Sequence, residues 1–320
     1  MIIDYFDNSY YKHIDSATKK TTFNFLYRNL VKLIGNIIIP ISFLWGGKKY
    51  VLKENNNGRN KIIVSLTTFP ARIKTVHYVI ESILRQTVTP DRIILYLAKN
   101  QIREEELPIK LKLLRKRGVE IEYVDEDLRP HKKYYYAFRD YPKDIIITVD
   151  DDIFYPSNLI ENLLDLSKGH PSYICCNRAC FYSFEKGKLT PYSEWPIGND
   201  SPYNVVGYNI LPTGMGGVLY PPGSVSNNIF DIDTIKDNCI NADDLWLNLM
   251  SRTNNTKVIL GKARFGFIPI LSTLTSALSI GNAITGNAND IQISNLIRKF
   301  GYENYTKNLN ECNNLKIEYY

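Results

Sequence analysis

Four short apolar runs separated by helix-like segments constrain the fold of this chain more than any other feature. The runs are rich in β-branched residues, and the segments between them repeat apolar residues at helical spacing. In chain order these segments alternate over residues 62–66, 77–85, 92–97, 107–117, 119–124, 132–139 and 144–149. This order predicts a doubly wound, mainly parallel α/β sheet with helices on both faces. Because ligands bind beyond the carboxyl ends of such strands, the loops Thr67–Arg72 and Asp150–Tyr155 are the first places to look for a site.

Length, composition and missing motifs narrow the class of protein. The 320 residues suffice for one large α/β domain with an appendage, and a 44% hydrophobic content excludes a disordered chain or a collagen. No GxGxxG follows the first strand and no GxxxxGK(S/T) occurs, which argues against a dinucleotide cofactor and excludes a P-loop. Five cysteines without a CxxC pair favour a reduced compartment, so we expect a cytoplasmic protein.

The positive charge is concentrated at the N-terminus. Residues 1–60 hold nine Lys/Arg and four Asp/Glu, so they carry +5 of the net charge of +6 and leave +1 for the remaining 260 residues. A domain that binds nucleic acid would carry its positive charge across its own surface, so we expect no nucleic-acid partner. The thirteen residues Leu33–Trp45 are too few to span a bilayer, and Pro40 is expected to break a continuous helix there.

Two interpretations of this N-terminal region stand side by side. Its apolar segment and the lysines around it would suit an anionic membrane surface, which would make the protein peripheral at the inner face of the cytoplasmic membrane. Alternatively, the segment docks on the main domain as part of its core. The polar stretch 54–60 is typical of a linker. We therefore expect an N-terminal extension over 1–60, a catalytic domain over 61–305 and a C-terminal tail over 306–320.

Three consecutive aspartates, Asp150, Asp151 and Asp152, follow the fourth strand. Like charges this close raise one another's pKa unless a cation lies among them, and carboxylate oxygens suit Mg²⁺ or Mn²⁺. Because side chains alternate along a strand, Asp150 and Asp152 are expected to point to one side and Asp151 to the other. A metal site and a solvated acidic loop are both compatible with this pattern.

A second acidic pair and a glycine-rich segment follow later in the chain. Asn241 is expected to cap a helix whose first turn holds Asp243 and Asp244. These acids would serve either as ordinary capping groups or, in one case, as a general base. Between the two acidic clusters, Gly214–Gly217 leads into a short strand-like run. Glycines permit close backbone approach, so this segment would either line a substrate pocket or form a tight turn.

Four segments, IIVSLTTFPAR, VDDDI, GMGGVLYPPG and ADDLW, occur in this order over residues 61–300. In this combination the chain resembles the GT-A glycosyltransferases, especially the family 2-like enzymes of bacterial polysaccharide biosynthesis. The resemblance implies a GT-A, Rossmann-like fold and Mn²⁺- or Mg²⁺-dependent transfer of a sugar from a nucleotide-sugar donor, with a UDP-sugar as the leading candidate. The implied acceptor is a hydroxyl of a glycan or lipid-linked glycan, as in capsule or lipopolysaccharide synthesis. The QxxRW motif of processive members is absent, which favours addition of a single sugar.

Carried over position by position, the resemblance gives particular residues a role. Asp152 and Asp150 would hold the metal, Asp244 would be the catalytic base, and Asp243 would orient the base or the acceptor. The donor would be contacted by Thr67, Pro70, Arg72, Lys132, Lys133, Asp150 and Asp151, and the acceptor by Gly214, Met215, Gly216 and Gly217. With Asp244 as base, a single displacement would invert the anomeric configuration.

Two departures from the family's pattern leave alternatives open. The aspartate that usually ends the second strand and reads uracil is absent from RIILYLAKN, so the donor base is undecided. The usual glutamate of the catalytic pair is Asp243 here, one methylene shorter. The competing interpretations are a nucleotidyltransferase on a similar sheet, a phosphotransferase of the haloacid-dehalogenase type and a non-catalytic scaffold that binds sugar or lipid.

Overall fold

The computed structural model describes residues 1–12, 22–45, 51–52, 60–198, 204–262, 265–276 and 287–309. Within these residues, eight strands form a central sheet: β1 (Ile62–Thr67), β2 (Arg92–Ala98), β3 (Glu120–Val124), β4 (Ile145–Thr148), β6 (Ile174–Cys176), β10 (Val205–Gly207), β12 (Val218–Tyr220) and β13 (Val258–Leu260). Six short strands pair outside it: β5 (Ile153–Phe154) with β14 (Ile268–Pro269), β7 (Ala179–Phe181) with β11 (Ile210–Pro212), and β8 (Phe184–Glu185) with β9 (Lys188–Leu189).

Helices connect and cover these strands. In chain order they are α1 (Ile2–Lys12), α2 (Thr22–Trp45), α3 (Val76–Leu84), α4 (Ile109–Arg115), α5 (Lys132–Asp140), α6 (Leu159–Gly169), α7 (Ile232–Thr234), α8 (Asp243–Thr253), α9 (Ala288–Phe300) and α10 (Tyr302–Thr306). A π-helical turn, Ile235–Cys239, extends α7. After α4 the chain turns back at Gly118, whose φ of 88° is one that glycine adopts without strain.

The central sheet has the order β10-β13-β6-β12-β4-β1-β2-β3. Strands β3, β2, β1 and β4 run parallel, and β6 is parallel to β13. Only β12 and β10 run against their neighbours. The prediction of a doubly wound, mainly parallel sheet is therefore confirmed, and β1 to β4 with α3 to α5 lie where the apolar pattern predicts them.

Helices cover both faces of the sheet, as expected. Alternate side chains of β1 point into two different core clusters: Val64 and Leu66 lie with α3, α4 and α6, whereas Ile63 lies with α5, α8 and α9. Strands that are buried on both faces need apolar residues at consecutive positions, which is why they appear in the sequence as uninterrupted apolar runs.

The N-terminal helices pack on the first of these clusters. Helix α1 contributes Ile3 and Phe6 to this core and α2 contributes Val31 and Ile39. Helix α2 continues through Pro40, so the expected break at that residue is wrong. A proline removes only one helical hydrogen bond here, and burial of Ile39 and packing of Phe43 on both sides of it hold the helix together.

Polar contacts fasten these two helices to the domain. The Asp7 carboxylate accepts hydrogen bonds from the backbone N–H groups of Gly266 (2.9 Å) and Phe267 (2.7 Å). The Asn36 side chain bonds the carbonyl of Pro269 (2.9 Å) and the N–H of Leu271 (2.8 Å). The expected linker over 54–60 lies almost wholly outside the described residues, as does the tail beyond 309. None of the described helices combines the length and hydropathy needed to cross a bilayer.

Candidate active site

Five separate parts of the chain meet beyond the carboxyl ends of β1 and β4. They are the loop after β1, the first turn of α5, the aspartates after β4, the turn before β12 and the first turn of α8. Below, the carboxylate cluster means the five aspartates that gather there: Asp150, Asp151, Asp152, Asp243 and Asp244. The cluster lies at the edge of the sheet where the alternation of strands and helices predicts a ligand site, and we treat it as the candidate site.

Lys133 is the buried cation that joins the two acidic motifs. Its Nζ lies 2.7 Å from Asp150 Oδ1 and 2.8 Å from Asp243 Oδ2. Its backbone carbonyl accepts a hydrogen bond from the Ser65 hydroxyl, which ties the start of α5 to β1. Burial opposes charge on Lys133, but Asp150, Asp243 and Asp244 outweigh it and hold its pKa well above the usual value. Lys133 therefore stays charged and bridges the cluster.

Arg72 is the second buried cation, and it holds the other two aspartates after β4. Its Nη1 pairs with Asp151 and lies 3.0 Å from Asp152 Oδ2. The Thr68 hydroxyl donates a 2.6 Å hydrogen bond to Asp151. Asp151 is consequently almost completely enclosed, whereas the side chains of Asp150 and Asp152 keep 31% and 23% of their surface exposed. Of these three aspartates, Asp150 and Asp152 are the ones that a ligand can reach.

The three aspartates Asp150–Asp152 lie in a turn and do not continue strand β4. Strand β4 ends at Thr148, two residues before the first aspartate. Its strand geometry therefore does not extend through Asp152, as the sequence argument assumed. The turn nevertheless separates Asp151, which is enclosed, from Asp150 and Asp152, which are partly exposed.

Asp244, the second residue of α8, lies next to the glycine-rich turn. Its Oδ2 accepts a 3.2 Å hydrogen bond from the N–H of Gly214. A Cβ on Gly214 would collide with Asp150 Oδ1 and Lys133 Nζ, so this position needs glycine for close approach to the cluster. Met215 and Gly216 complete a 3-10 turn, and Gly217 leaves it with a φ of 68° before β12 begins. The segment thus forms a tight turn and also lines the site.

Burial and crowding raise the pKa of three carboxyls in the cluster, most clearly at Asp152 and Asp244. Desolvation is the largest cause at Asp152 and at Asp244; the charge of Asp150 adds to it at Asp152, and that of Asp243 adds to it at Asp244. The pKa of Asp151 is also raised, chiefly by burial, although Arg72 and Thr68 oppose the shift. A carboxyl with a raised pKa is a stronger base than an ordinary one, and such groups are concentrated at functional sites.

Other predicted residues lie outside the cluster. The Thr67 hydroxyl donates to the carbonyl of Tyr96 (2.8 Å), and Pro70 is exposed in the loop. Lys132 is buried but pairs with Asp127 rather than with a cluster carboxylate. Asn241 is not the cap of α8, because Ala242 precedes the helix; its Oδ1 accepts instead from Arg129 (2.8 Å).

Two residues of the site were missed by the sequence analysis. Thr68 bonds Asp151, and the Tyr155 hydroxyl accepts a 2.8 Å hydrogen bond from the Asp150 N–H while lying 3.4 Å from the carbonyl of Gly214. Thr68 adjoins the predicted Thr67, and Tyr155 ends the predicted loop, so position pointed to both. Neither has a residue type that identifies its role without the tertiary contacts.

The cluster offers a partial donor set for a divalent metal. Asp150 and Asp152 each use one oxygen in an ion pair and remain partly exposed, which leaves hard oxygen donors of the kind Mg²⁺ and Mn²⁺ prefer. Among the described residues, no group of three or more His, Cys, Asp or Glu side chains is arranged to hold a metal by itself. The chain's own cations, Arg72 and Lys133, already relieve part of the repulsion that the sequence argument assigned to a metal.

A separate cleft lies away from the carboxylate cluster. It has a volume of about 730 Å³ and is lined by β9 and the residues that follow it, by α9 and by Tyr302. Its charged lining residues are Lys188 and Asp290, and the Asp290 carboxylate already accepts from the N–H of Tyr192 (2.8 Å). We place the candidate active site at the carboxylate cluster instead, because buried charges and raised pKa values coincide there.

Comparison with known proteins gives structural similarity only. No family model matches the chain, and no curated protein matches it either. Solved structures that are similar include residues 1–349 of S. aureus TarS in complex with UDP, with 15% identity, a TM-score of 0.41, and coverage of 64% of this chain and 59% of that chain. A 4-diphosphocytidyl-2C-methyl-D-erythritol synthase from Anaerococcus prevotii has 16% identity and a TM-score of 0.42, covering 71% of this chain and 99% of that chain.

A third similar structure is a UTP-bound UGPase from Acinetobacter baumannii. It has 11% identity and a TM-score of 0.36, and the match covers 70% of this chain and 94% of that chain. All three TM-scores lie below 0.5. We therefore derive the function from the residues of the site.

Proposed function

We propose that this protein is a glycosyltransferase that moves a single sugar from a nucleotide-sugar donor to a hydroxyl of a glycan or lipid-linked glycan. The observation that carries the proposal is that Lys133 lies between two groups of carboxyls with different chemistry, called the donor half and the acceptor half of the site below. On one side lie Asp150 and Asp152, partly exposed, and on the other lies Asp244, a half-buried carboxyl of raised pKa. The first half suits the diphosphate of a donor, and the second suits a hydroxyl that must lose a proton.

The donor half combines anionic and cationic groups. A nucleoside diphosphate leaves with negative charge, which Lys133 and Arg72 are placed to offset as the charge develops. Asp150 and Asp152 would hold a divalent ion, with its remaining positions left to phosphate oxygens and water. When bound, such an ion supplies Lewis-acid stabilisation of the leaving diphosphate.

The acceptor half assigns the two acids of α8 to different tasks. Asp243 is bound to Lys133 and thereby keeps the cation in place. Asp244 accepts one backbone hydrogen bond, and its raised pKa makes it a stronger base than an ordinary carboxyl. In the proposed step, Asp244 takes the proton of the acceptor hydroxyl. At the same time the hydroxyl oxygen forms a bond to the anomeric carbon of the donor sugar, and the bond from that carbon to the diphosphate breaks. A single displacement of this kind inverts the anomeric configuration.

The same base distinguishes this proposal from nucleotidyl transfer. A phosphate nucleophile is already ionised at neutral pH and needs no general base, whereas a sugar hydroxyl does. Raising the pKa of Asp244 by burial therefore benefits a hydroxyl acceptor. The resemblance in sequence adds the setting that we propose, capsule or lipopolysaccharide assembly on the cytoplasmic side of a membrane.

Thermal unfolding with nucleotides tests the donor half. We expect one nucleoside diphosphate to raise the midpoint more in the presence of Mn²⁺ than in its absence. A ligand at 100 times its Kd stabilises the folded state by about 2.7 kcal/mol, which is easily measured. The variant Asp152→Asn should lose the metal-dependent part of the shift, and Asp237→Asn, which changes an exposed aspartate, should keep it.

Product analysis tests the reaction itself. Incubation with nucleotide-sugars and hydroxyl acceptors should release a nucleoside diphosphate, and NMR of the product should show the inverted anomer. Release of pyrophosphate from a nucleoside triphosphate would establish nucleotidyl transfer in its place. A well-folded protein that shows neither a nucleotide-induced shift nor turnover would favour a non-catalytic scaffold.

A further inference from the structure

Helix α2 has a continuous apolar face that is exposed in the described part of the chain. Seven of its side chains, spaced three or four residues apart, have exposed fractions between 45% and 79%. They are Phe23, Leu26, Leu30, Leu33, Ile37, Ile41 and Leu44, called the outer face of α2 below. At 1.5 Å per residue the 24-residue helix is about 36 Å long. A contiguous apolar stripe of this length marks an interaction surface, whereas apolar residues scattered singly do not.

The opposite face of α2 is bound to the domain, so the helix has a fixed orientation. Val31 and Ile39 are buried in the core, and Asn36 bonds the backbone at Pro269 and Leu271. The Arg28 guanidinium lies over the Tyr10 ring of α1, 4.7 Å from its centroid. A helix held along its length in this way presents its outer face sideways and is poorly placed to insert end-on.

We propose that the outer face of α2 binds the protein to an anionic lipid surface, with the helix lying in the plane of the interface. Helix α2 contains no Asp or Glu, and residues 1–60 as a whole carry +5. The lysine pairs Lys19–Lys20 and Lys48–Lys49 lie close to the two ends of the helix in sequence. Apolar side chains on one helix face with lysines around them are the combination that binds anionic interfaces.

A lipid surface fits this face better than a protein partner does. The seven side chains of the outer face offer no hydrogen-bonding group, whereas protein interfaces carry about one hydrogen bond per 100–200 Å². Acyl chains and headgroups require no such pairing from the apolar side chains. The positive charge of the surrounding segment would also disfavour a second copy of this chain, because like charges would then meet across the contact.

A short chain of contacts connects the outer face to the carboxylate cluster. Asn36 of α2 bonds residues 269 and 271, and the N–H of the intervening Ile270 donates a 2.8 Å hydrogen bond to the Asp152 carbonyl. Strand β14 also pairs with β5 directly after the aspartates. Docking of α2 would therefore hold the site in a set position relative to the lipid surface. This consequence rests on the proposed function, because it matters for an acceptor attached to a lipid. The docking itself does not depend on the proposed function.

Vesicle sedimentation of the full chain tests the docking. We expect the protein to pellet with vesicles of phosphatidylcholine and phosphatidylglycerol at low salt, and to pellet less with pure phosphatidylcholine or at 0.5 M salt, about three times the physiological ionic strength. The triple variant Leu33→Gln/Ile37→Gln/Leu44→Gln should lower the partition coefficient at least about tenfold, because each change removes apolar area from the contact.

A matched control separates the outer face from exposed apolar residues in general. The variant Ile109→Gln/Leu113→Gln/Ile291→Gln removes three exposed aliphatic side chains from other helices and should pellet like the wild type. Equal thermal midpoints for both variants would show that each folds. The nucleotide-induced shift, measured on the same samples without vesicles, reports on the proposed function independently of docking.

Three outcomes would overturn the docking proposal. In the first, the wild type stays in the supernatant with anionic vesicles. In the second, the outer-face variant pellets as well as the wild type does. In the third, analytical ultracentrifugation finds a wild-type dimer that the outer-face variant dissociates, without vesicle binding by either protein; a second copy would then be the occupant of this face.

Discussion

The carboxylate cluster and the outer face of α2 both depart from the usual distribution of side chains, in which charged groups are exposed and large apolar groups are buried. The cluster gathers aspartates in a mostly enclosed site, whereas the outer face exposes seven large apolar side chains. Buried charges require partners and exposed apolar stripes require cover. In the cluster, Arg72 and Lys133 supply that partner within the chain. The outer face stays largely exposed in the part of the chain that the structure describes, and the cover that we propose for it is a lipid surface.

Because the two regions depend on different contacts, we expect substitutions in one of them to leave the function of the other unchanged. Substitutions in the cluster should change nucleotide binding and turnover and leave vesicle binding intact. Substitutions on the outer face should do the reverse. The four predictions below test the cluster and the attachment of α1, from the largest expected effect to the smallest.

Loss of the base should have the largest effect. We expect Asp244→Asn to reduce turnover by about 10²–10⁴-fold, as for removal of a general base, while the protein still binds the donor nucleotide and anionic vesicles. Because the raised pKa of Asp244 keeps it protonated to a higher pH than an ordinary carboxyl, wild-type kcat/KM should fall as pH decreases through that raised value. Steady-state kinetics across pH, with Asp237→Asn as the control, measure both effects. Full activity in Asp244→Asn would exclude it as the base.

Removal of the bridging cation should strongly reduce stability. In Lys133→Met, Asp150 and Asp243 would keep their charges without a partner, and we expect the free energy of unfolding to fall by about 3–5 kcal/mol at neutral pH. Urea denaturation of this variant is compared with Lys99→Met, which breaks an exposed pair and should cost about 0–1 kcal/mol. Equal losses in the two variants would contradict a central role for Lys133.

Asp7 provides a buried carboxylate held by backbone N–H groups instead of a side-chain cation. Burial raises its pKa from 3.8 to about 7, against the effect of the N–H groups of Gly266 and Phe267. An acid whose pKa is raised by folding lowers stability as pH rises, here from about pH 4 through pH 7. We expect Asp7→Asn to remove this dependence, worth on the order of a few kcal/mol. If the free energies of unfolding of wild type and variant differ by the same amount at every pH from 4 to 8, this prediction is wrong.

Crowding at the glycine turn should have the smallest effect. In Gly214→Ala the new Cβ would press on Asp150 Oδ1 and Lys133 Nζ, so the pair must shift at the donor side of the site. We expect the Kd of the nucleotide to rise about tenfold, equivalent to about 1.4 kcal/mol. Calorimetric titration measures it, and Gly169→Ala, where a Cβ meets no heavy atom within 4 Å, is the matched control. An unchanged Kd would place the nucleotide away from Gly214.

Much of the fold follows from local sequence pattern, because consecutive β-branched residues and helical spacing are short-range properties. Strands β1 to β4 and helices α3 to α5 were predictable in this way, and so was the edge of the sheet at which the site lies. The continuation of α2 through Pro40 was not, since propensity opposes a helix there, and burial of Ile39 and packing of Phe43 override it. The cap of α8 was misassigned by a single residue because Asn241 bonds Arg129 and Gln292 instead.

The sequence by itself determined which residue types reach the site: carboxylates after a buried strand, glycines before another and two acids at the start of a helix. Only the tertiary structure decided how these groups share charge. Lys133 reaches Asp243, which follows it by 110 positions, and Thr68 reaches Asp151. Such pairs depend on the order of strands in the sheet, including the antiparallel β12. Strand order is set by burial over the whole chain, and no local pattern encodes it.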